Sequence, residues 1–353
     1  MKKLLIVSLI FTCTLFIFGQ TKYLDLTTVL PKGYVTNATV DYTLVLQKAI
    51  NDNGDVLFPD FPVLINDNGL KLKSNCTYKF QANSKLILKT SVKPGYSLLD
   101  CNSKENITIL NPVLVGDKKT HVGTKGEWGF GISIRGSKNI RVENAKIYDC
   151  FGDGIYIGQL NNKISDQIVI LNSLVSNSRR NGLSITSGTN IKISNSKFLN
   201  SSGKGPSSGI DIEPNSSKDE LKGIVLENVF TGGNENWGLL LNLVNLRKDN
   251  SLNKDISITI NNFSDSKSKY GMSFWLNRKN NYSKNISGNI VLNNVSLYNN
   301  TAEPIKYYDT NDNTINLSVN NLSVDSKSYD KLESSVQSYK KDNRIQFKQL
   351  KSK

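Results

Sequence analysis

The sequence predicts an all-β parallel solenoid, and three observations carry that reading. One phrase, of the form N-I-x-I-x-N-x-x-apolar, recurs as "NITILNPVL" from Asn106, "NIRVENAKI" from Asn139, "QIVILNSLV" from Gln167 and "NIKISNSKF" from Asn190. Weaker copies follow as "GIVLENVF", "DISITINNF", "NIVLNNVSL" and "TINLSVNNL". A second phrase is led by glycine: "GISIR" at Gly131, "GIYIG" at Gly154, "GLSIT" at Gly182, "GIDIE" at Gly209, "GLLLN" at Gly238 and "GMSFW" at Gly271. The two phrases alternate in fixed order, with successive glycines 23, 28, 27, 29 and 33 residues apart. An antiparallel sandwich of hairpins does not explain that fixed alternation, whereas a repeat of one coil does.

Each phrase is a period-2 strand of four or five residues, too short to bury an apolar face alone. Stacking such strands about 4.8 Å apart, in register, builds a continuous apolar interior. The aligned asparagines are Asn111, Asn144, Asn172, Asn195, Asn228, Asn261 or Asn262, Asn294 and Asn321. Asparagine suits a corner because it tolerates the left-handed backbone, and stacked amides can bond along the axis.

From the N-terminus, residues 1–20 read as a signal peptide: Lys2 and Lys3, an apolar run, and a short polar end cut near Gly19 or Gln20. A secreted or periplasmic protein is therefore expected. No later segment is apolar and long enough to span a bilayer, so no membrane span is expected in the mature chain. Residues 21–105 form an N-terminal cap and the first coils. There "DYTLVLQKAINDNG" places Leu44, Val45, Ala49 and Ile50 at helical spacing and stops at Asn53-Gly54. Such a helix can shield the open end of a solenoid. Residues 106–325 are the coils, and 326–353 a basic tail or second cap. No linker divides the chain.

Lys and Arg number 44 against 30 Asp and Glu, a formal charge of +14 that falls by two once Lys2 and Lys3 are removed. An exported basic protein points to an anionic partner, such as an acidic polysaccharide, a cell envelope or extracellular nucleic acid. The lysines are scattered without the aromatic-and-basic pattern of a nucleic-acid module, so nucleic acid is not expected. Cys76, Cys101 and Cys150 lie far apart, with no CxxC or His/Cys pair, and read as buried fillers. A monomer is expected.

With these phrases in place, the chain resembles the right-handed parallel β-helix proteins of the pectin-lyase-like superfamily. "VDYTLVLQKAINDNGDVLFPD" is similar to the opening motif of pectate-lyase-superfamily and polygalacturonase-related proteins. The resemblance implies a right-handed parallel β-helix with a short N-terminal capping helix. Hydrolases, lyases, epimerases and phage depolymerases share that fold, so function has to be argued from the site.

Alternation within the glycine-led strands turns Ser133 and Arg135, Tyr156 and Gly158, Ser184 and Thr186, Asp211 and Glu213, Leu240 and Asn242, and Ser273 and Trp275 outward. Two carboxylates, Asp211 and Glu213, thus share a face with Tyr156. Asp153, just before Gly154, sits at the rim if the glycine resets the alternation. "FGDGIYIG" resembles the Asp-Gly strand of polygalacturonases, which implies a catalytic role for Asp153. Asp153 and Asp211 stand two coils apart, about 9.6 Å along the axis, within side-chain reach of the roughly 6.5–9.5 Å of an inverting glycosidase. The Asp-Asp, Gly-His-Gly and Arg-Ile-Lys motifs of polygalacturonases are lacking.

The expected catalytic residues are therefore Asp153, Asp211 and Glu213, with one acid protonating the leaving oxygen and another activating water. Arg179 and Arg180 are positioned to clamp a sugar carboxylate or sulfate. The loop "GDKKTHVGTKGEWGFGI" brings His121, Glu127 and Trp128 toward one end of the groove, and Tyr156 joins them as a substrate-binding residue. No cofactor is called for. The three acids could hold Ca2+ through oxygen ligands, although no Ca2+-loop signature is present. Hydrolysis of an acidic polysaccharide leads. A uronate lyase or epimerase using His121, Tyr156 or an arginine, and a non-catalytic glycan-binding envelope protein, are the alternatives.

Overall fold

The computed structural model describes residues 23–248, 253–276, 286–308, 314–339 and 344–352. The stretch read as a signal peptide lies outside the described residues. Every strand pairing between successive coils is parallel, and two sheets carry the stack. The nine-stranded sheet runs from Leu70–Lys71 through Gly95–Asp100, Trp128–Arg135, Ile155–Gly158, Leu183–Ile185, Ile210–Ile212, Trp237–Asn242 and Tyr270–Trp275 to Glu303–Tyr307. All six glycine-led phrases lie in it. The asparagine phrases lie in the other, larger sheet, which bends at the asparagines.

The register follows from the apolar alternation. Ile132, Ile155, Leu183, Ile210, Leu239 and Met272 form one inward column, each buried. Ile134, Ile157, Ile185, Ile212, Leu241 and Phe274 form the next. Burying a side chain of this size contributes about 1.5–3 kcal/mol, so the interior supplies the driving force for stacking. A slip by one residue would turn every column outward.

The corner asparagines Asn111, Asn144, Asn172, Asn195, Asn228, Asn262, Asn294 and Asn321 all hold φ between +50° and +58°. Their amides bond along the axis: Asn144 Nδ2 donates to Asn111 Oδ1 at 2.8 Å, Asn228 to Asn195 at 3.0 Å, Asn262 to Asn228 at 2.9 Å, and Asn321 to Asn294 at 3.0 Å. The ladder resolves the choice between Asn261 and Asn262 in favour of Asn262 as the corner residue.

A helix spans Thr43–Asp52 near the N-terminus, and the Asp41 carboxylate accepts from the Thr43 backbone N–H at 2.9 Å. Its buried stripe is Thr43, Leu46, Ala49 and Ile50. Leu44, expected on that stripe, is 79% exposed, because the three- and four-residue steps run through Leu46. At the other end a helix over Ser326–Tyr339 buries Leu332 and Val336. It lies against Glu303–Tyr307, the last strand of the nine-stranded sheet. Beyond it, Ile345–Lys348 and Lys351–Ser352 return to the larger sheet. The three described cysteines are free and buried.

Candidate active site

The outward face of the nine-stranded sheet carries the expected columns. Ser133, Tyr156, Ser184, Asp211, Leu240 and Ser273 stand in register on successive strands. The residue before each glycine joins this face. A Cβ at Gly154 would lie 2.1 Å from Val175 Cγ1, inside the core, so that position points inward and its predecessor is turned out. Phe130 accordingly stacks on Tyr156 with ring centroids 4.7 Å apart, and Asp153 meets the outward Ser184.

Asp153 is wholly buried and fully engaged. It accepts from Arg180 Nη1 at 3.0 Å, from Ser184 Oγ at 2.9 Å and from the Asn181 backbone N–H at 3.0 Å. Burial pushes its carboxyl up, and the Arg180 charge opposes that push. Arg180 in turn is surrounded by acids: its Nε stands 3.6 Å from Glu127 Oε2, and Glu127 Oε1 pairs with Lys204 at 3.2 Å. Burial disfavours the Arg180 charge, but Asp153, Asp211, Glu127 and Glu213 outweigh it and hold the guanidinium protonated.

Asp211 is different. Its Oδ2 accepts from Asn181 Nδ2 at 3.0 Å, while its buried Oδ1 has no hydrogen-bond partner among the described residues. Burial first, then the neighbouring Glu213 charge, push the Asp211 carboxyl well above the usual range, toward its protonated form. Glu213 is half-buried, is also raised by burial, and accepts from Asn242 Nδ2 at 2.6 Å. Two residues along one strand put the Cα atoms of Asp211 and Glu213 about 6.6 Å apart on one face. Asn181 Nδ2 also reaches Ser184 Oγ at 3.0 Å. Three hydrogen bonds thus connect Asp153 to Asp211 through Ser184 and Asn181.

Two expected residues are placed elsewhere. The Arg179 guanidinium donates to the carbonyls of Gly126 at 2.9 Å, Thr124 at 2.7 Å and Phe151 at 3.4 Å, and lies 4.1 Å from the Phe151 ring. Its donors fasten the long loop instead of facing a ligand, which corrects the expected clamp. His121 does not fold over the groove. Its side chain is 2% exposed, its Nδ1 lies 2.9 Å from Asp117 Oδ2, and its ring stacks on Phe151 at 3.4 Å. Tyr96 donates its hydroxyl to the same Asp117. Trp128 is 58% exposed beside the groove. Tyr156 is half-buried, its hydroxyl 3.1 Å from Thr186 Oγ1 and accepting from Asn215 Nδ2 at 3.0 Å.

Asn181, Ser184 and Asn242 orient the three acids; the alternation places Ser184 and Asn242 on this face, but none of the three is among the expected site residues. Asn181 occupies the position of Asp153 one coil on, which is the signal that points to it. Among the described residues no three of the His, Cys, Asp and Glu side chains converge as metal ligands.

Known proteins agree with this architecture. The family described as "Right handed beta helix region" matches residues 63–228. The uncharacterized protein YclG of Bacillus subtilis (strain 168) is 30% identical over 205 residues, which cover 53% of this chain and 34% of YclG. The chain thus spans about a third of the length of the curated relatives it matches. Among solved structures, the 1,3-alpha-1,4-beta-D-galactose-4-sulfate-3,6-anhydro-D-galactose-2-sulfate 4 galactohydrolase superposes with a TM-score of 0.58 at 12% identity, covering 80% of this chain and 71% of that one. The tailspike protein gp49 of Acinetobacter baumannii bacteriophage Fri1, a capsular polysaccharide depolymerase, superposes with a TM-score of 0.57 at 15% identity, covering 93% and 62%. The solenoid described above is a right-handed parallel β-helix.

Proposed function

We propose that this chain is an exported β-helix protein that hydrolyses glycosidic bonds in an acidic polysaccharide, with Asp211 and Glu213 as the reacting carboxyls. The observation that carries the reading is Asp211: a buried carboxyl with an unpartnered oxygen, pushed toward its protonated form beside a second, half-buried carboxyl on the same face. Buried polar atoms left unpaired by the protein are rare, and a reacting group is one reason for them.

In this reading Asp211 gives its proton to the glycosidic oxygen as the bond from that oxygen to the anomeric carbon breaks. A water attacks the anomeric carbon and passes a proton to Glu213, and solvent exchange restores both groups. Asp153 acts one step away, as the counter-ion that fixes Arg180 beside the two acids. Arg180, with its positive charge facing the cleft acids, is also the group suited to an anionic sugar substituent. The net charge of +14 favours such a substrate. The galactohydrolase and the phage depolymerase, which share the fold, are by name polysaccharide-active.

Elimination is less well supported. Burial pushes the Tyr156 phenol up, away from a basic form, and His121 is taken up by Asp117 and Phe151. The test is product analysis on pectate, alginate and carrageenan substrates. Hydrolysis yields new reducing ends without the ultraviolet absorbance of an unsaturated uronate. Both signals rising together would replace hydrolysis by elimination. Binding without either signal would replace it by a glycan-binding role.

A further inference from the structure

We propose that a cavity at the N-terminal end of the same face is a subsite for an anionic sugar unit, where Arg135 holds the carboxylate or sulfate and Trp128 packs on the ring. The inference rests on the polysaccharide reading above and deepens it. The cavity measures about 390 Å3 and is lined in part by Gly95, Asp100, Trp128, Phe130 and Arg135. That volume lies within the range of small-molecule sites.

One missing side chain seats the indole at the cavity's edge. Gly95 pairs in register with Trp128, and a Cβ at Gly95 would stand 3.0 Å from Trp128 Cβ. Glycine here permits the close approach of Trp128 on the neighbouring strand. Trp128 is 58% exposed, an apolar face without a covering partner among the described residues. The C–H faces of sugar rings are matched to such a surface.

The charge balance selects the ligand. The Arg135 guanidinium meets, among the described residues, the Asn102 amide oxygen at 3.3 Å and the Phe130 ring at 6.0 Å, and no carboxylate. The acids around the cavity are engaged. Asp67 pairs with Lys93 at 2.6 Å and accepts from the Ser91 hydroxyl at 2.6 Å, and Asp100 accepts from the Asn102 backbone N–H at 2.7 Å. Arg135 therefore presents a planar cation with open donors, the geometry that binds carboxylate or sulfate.

The cavity opens on the face that carries the acids. Phe130 stacks on Tyr156, and the column of Arg135 continues through Gly158 and Thr186 to Glu213. Three coils separate Arg135 from Glu213, about 14 Å, so only a chain several units long occupies both places.

The experiment measures binding of the full-length protein to length series of oligogalacturonate and of sulfated galactan fragments, by tryptophan fluorescence and calorimetry. Their methyl-esterified and desulfated counterparts serve as neutral probes. The expected result is that Arg135→Gln weakens binding of the long anionic oligomers about tenfold or more. It should leave the shortest oligomers and the neutral probes unchanged, with an unchanged melting temperature, and Arg135→Lys should recover part of the loss. Trp128→Ala should weaken charged and neutral long oligomers alike. Unaltered binding of long anionic oligomers by Arg135→Gln, with wild-type hydrolysis present, would overturn the subsite and leave the hydrolytic reading standing. Arg135-dependent binding without bond cleavage would support the subsite and remove the hydrolysis. A wild-type protein that binds none of the anionic oligomers would end both.

Discussion

Two regions of this molecule are built on the same coil spacing and use it in opposite ways. Along the corner, Asn111, Asn144 and Asn172 repeat one residue in one backbone conformation, and each amide satisfies the next. Along the outward face, the in-register column runs Ser133, Tyr156, Ser184, Asp211 and Leu240 without repeating. The corner has its polar groups paired and exposed to water. The face buries acids, leaves Asp211 Oδ1 unpaired and gathers four carboxylates around one arginine. Repetition maintains the stack, and the coils that break it accept an electrostatic penalty. Local departures of this kind are expected where a surface is shaped for chemistry rather than for stability.

The largest expected effect on stability comes from Asp153→Asn. It leaves the Arg180 guanidinium, 18% exposed, without its nearest counter-ion. Breaking a buried pair costs about 3 kcal/mol at the lower end of such cases, and the acids still facing Arg180 place it there. Denaturant unfolding measures the loss. A neutral result would mean that Asp153 does not anchor the arginine, and the contrast between the two regions would weaken.

Next comes the corner itself. Asn228→Ala removes the bonds to Asn195 and Asn262 and forces an alanine to φ +53°. The expected cost is about 2 kcal/mol, with turnover unaffected. Asn228→Gly relieves the backbone and should recover about half of that loss. If the glycine variant is as unstable as the alanine variant, the amide ladder matters more than the left-handed conformation.

The smallest effect sharpens the electrostatics. Glu213 must be ionised and Asp211 protonated for the proposed reaction. Both carboxyls are raised, so both limbs of the pH–rate profile should lie above the range set by ordinary carboxylates. In Glu213→Gln the negative neighbour is gone, and a carboxyl titration by NMR should find Asp211 losing its proton at lower pH than in the wild type. An unchanged or higher titration point would show that the two groups do not interact.

Much of the fold was legible in the sequence because its signal is periodic. The glycine and asparagine phrases specified the strands, the corner residues and the outward column, since a stack in register leaves few other arrangements. Interactions between neighbouring coils were less legible. The repeat puts Asn181 at the position of Asp153 one coil on, but that its amide reaches Ser184 and Asp211 depends on where the turn places it, which the periodicity does not report. The single histidine drew attention by its chemistry, yet the loop folds it onto Phe151 and Asp117. Arg179 and Arg180 are adjacent in the chain but point to different partners, Arg179 to loop carbonyls and Arg180 to the acids. Residue type made both candidates, and only the fold separates them.

The central claim is that the unpaired acid on the variable face carries turnover at some expense in stability. The folded state raises the Asp211 pKa, so the stability linked to this group is complete below its unfolded pKa and is lost as pH rises through the folded one. Asp211→Asn removes that loss. The measurement is the rate of reducing-end release from an acidic polysaccharide by Asp211→Asn at neutral pH, with its melting temperature recorded on the same sample. The account predicts a rate lowered about 100-fold or more in a protein that melts no earlier than the wild type. A rate within a few-fold of wild type, from an equally stable protein, would contradict it.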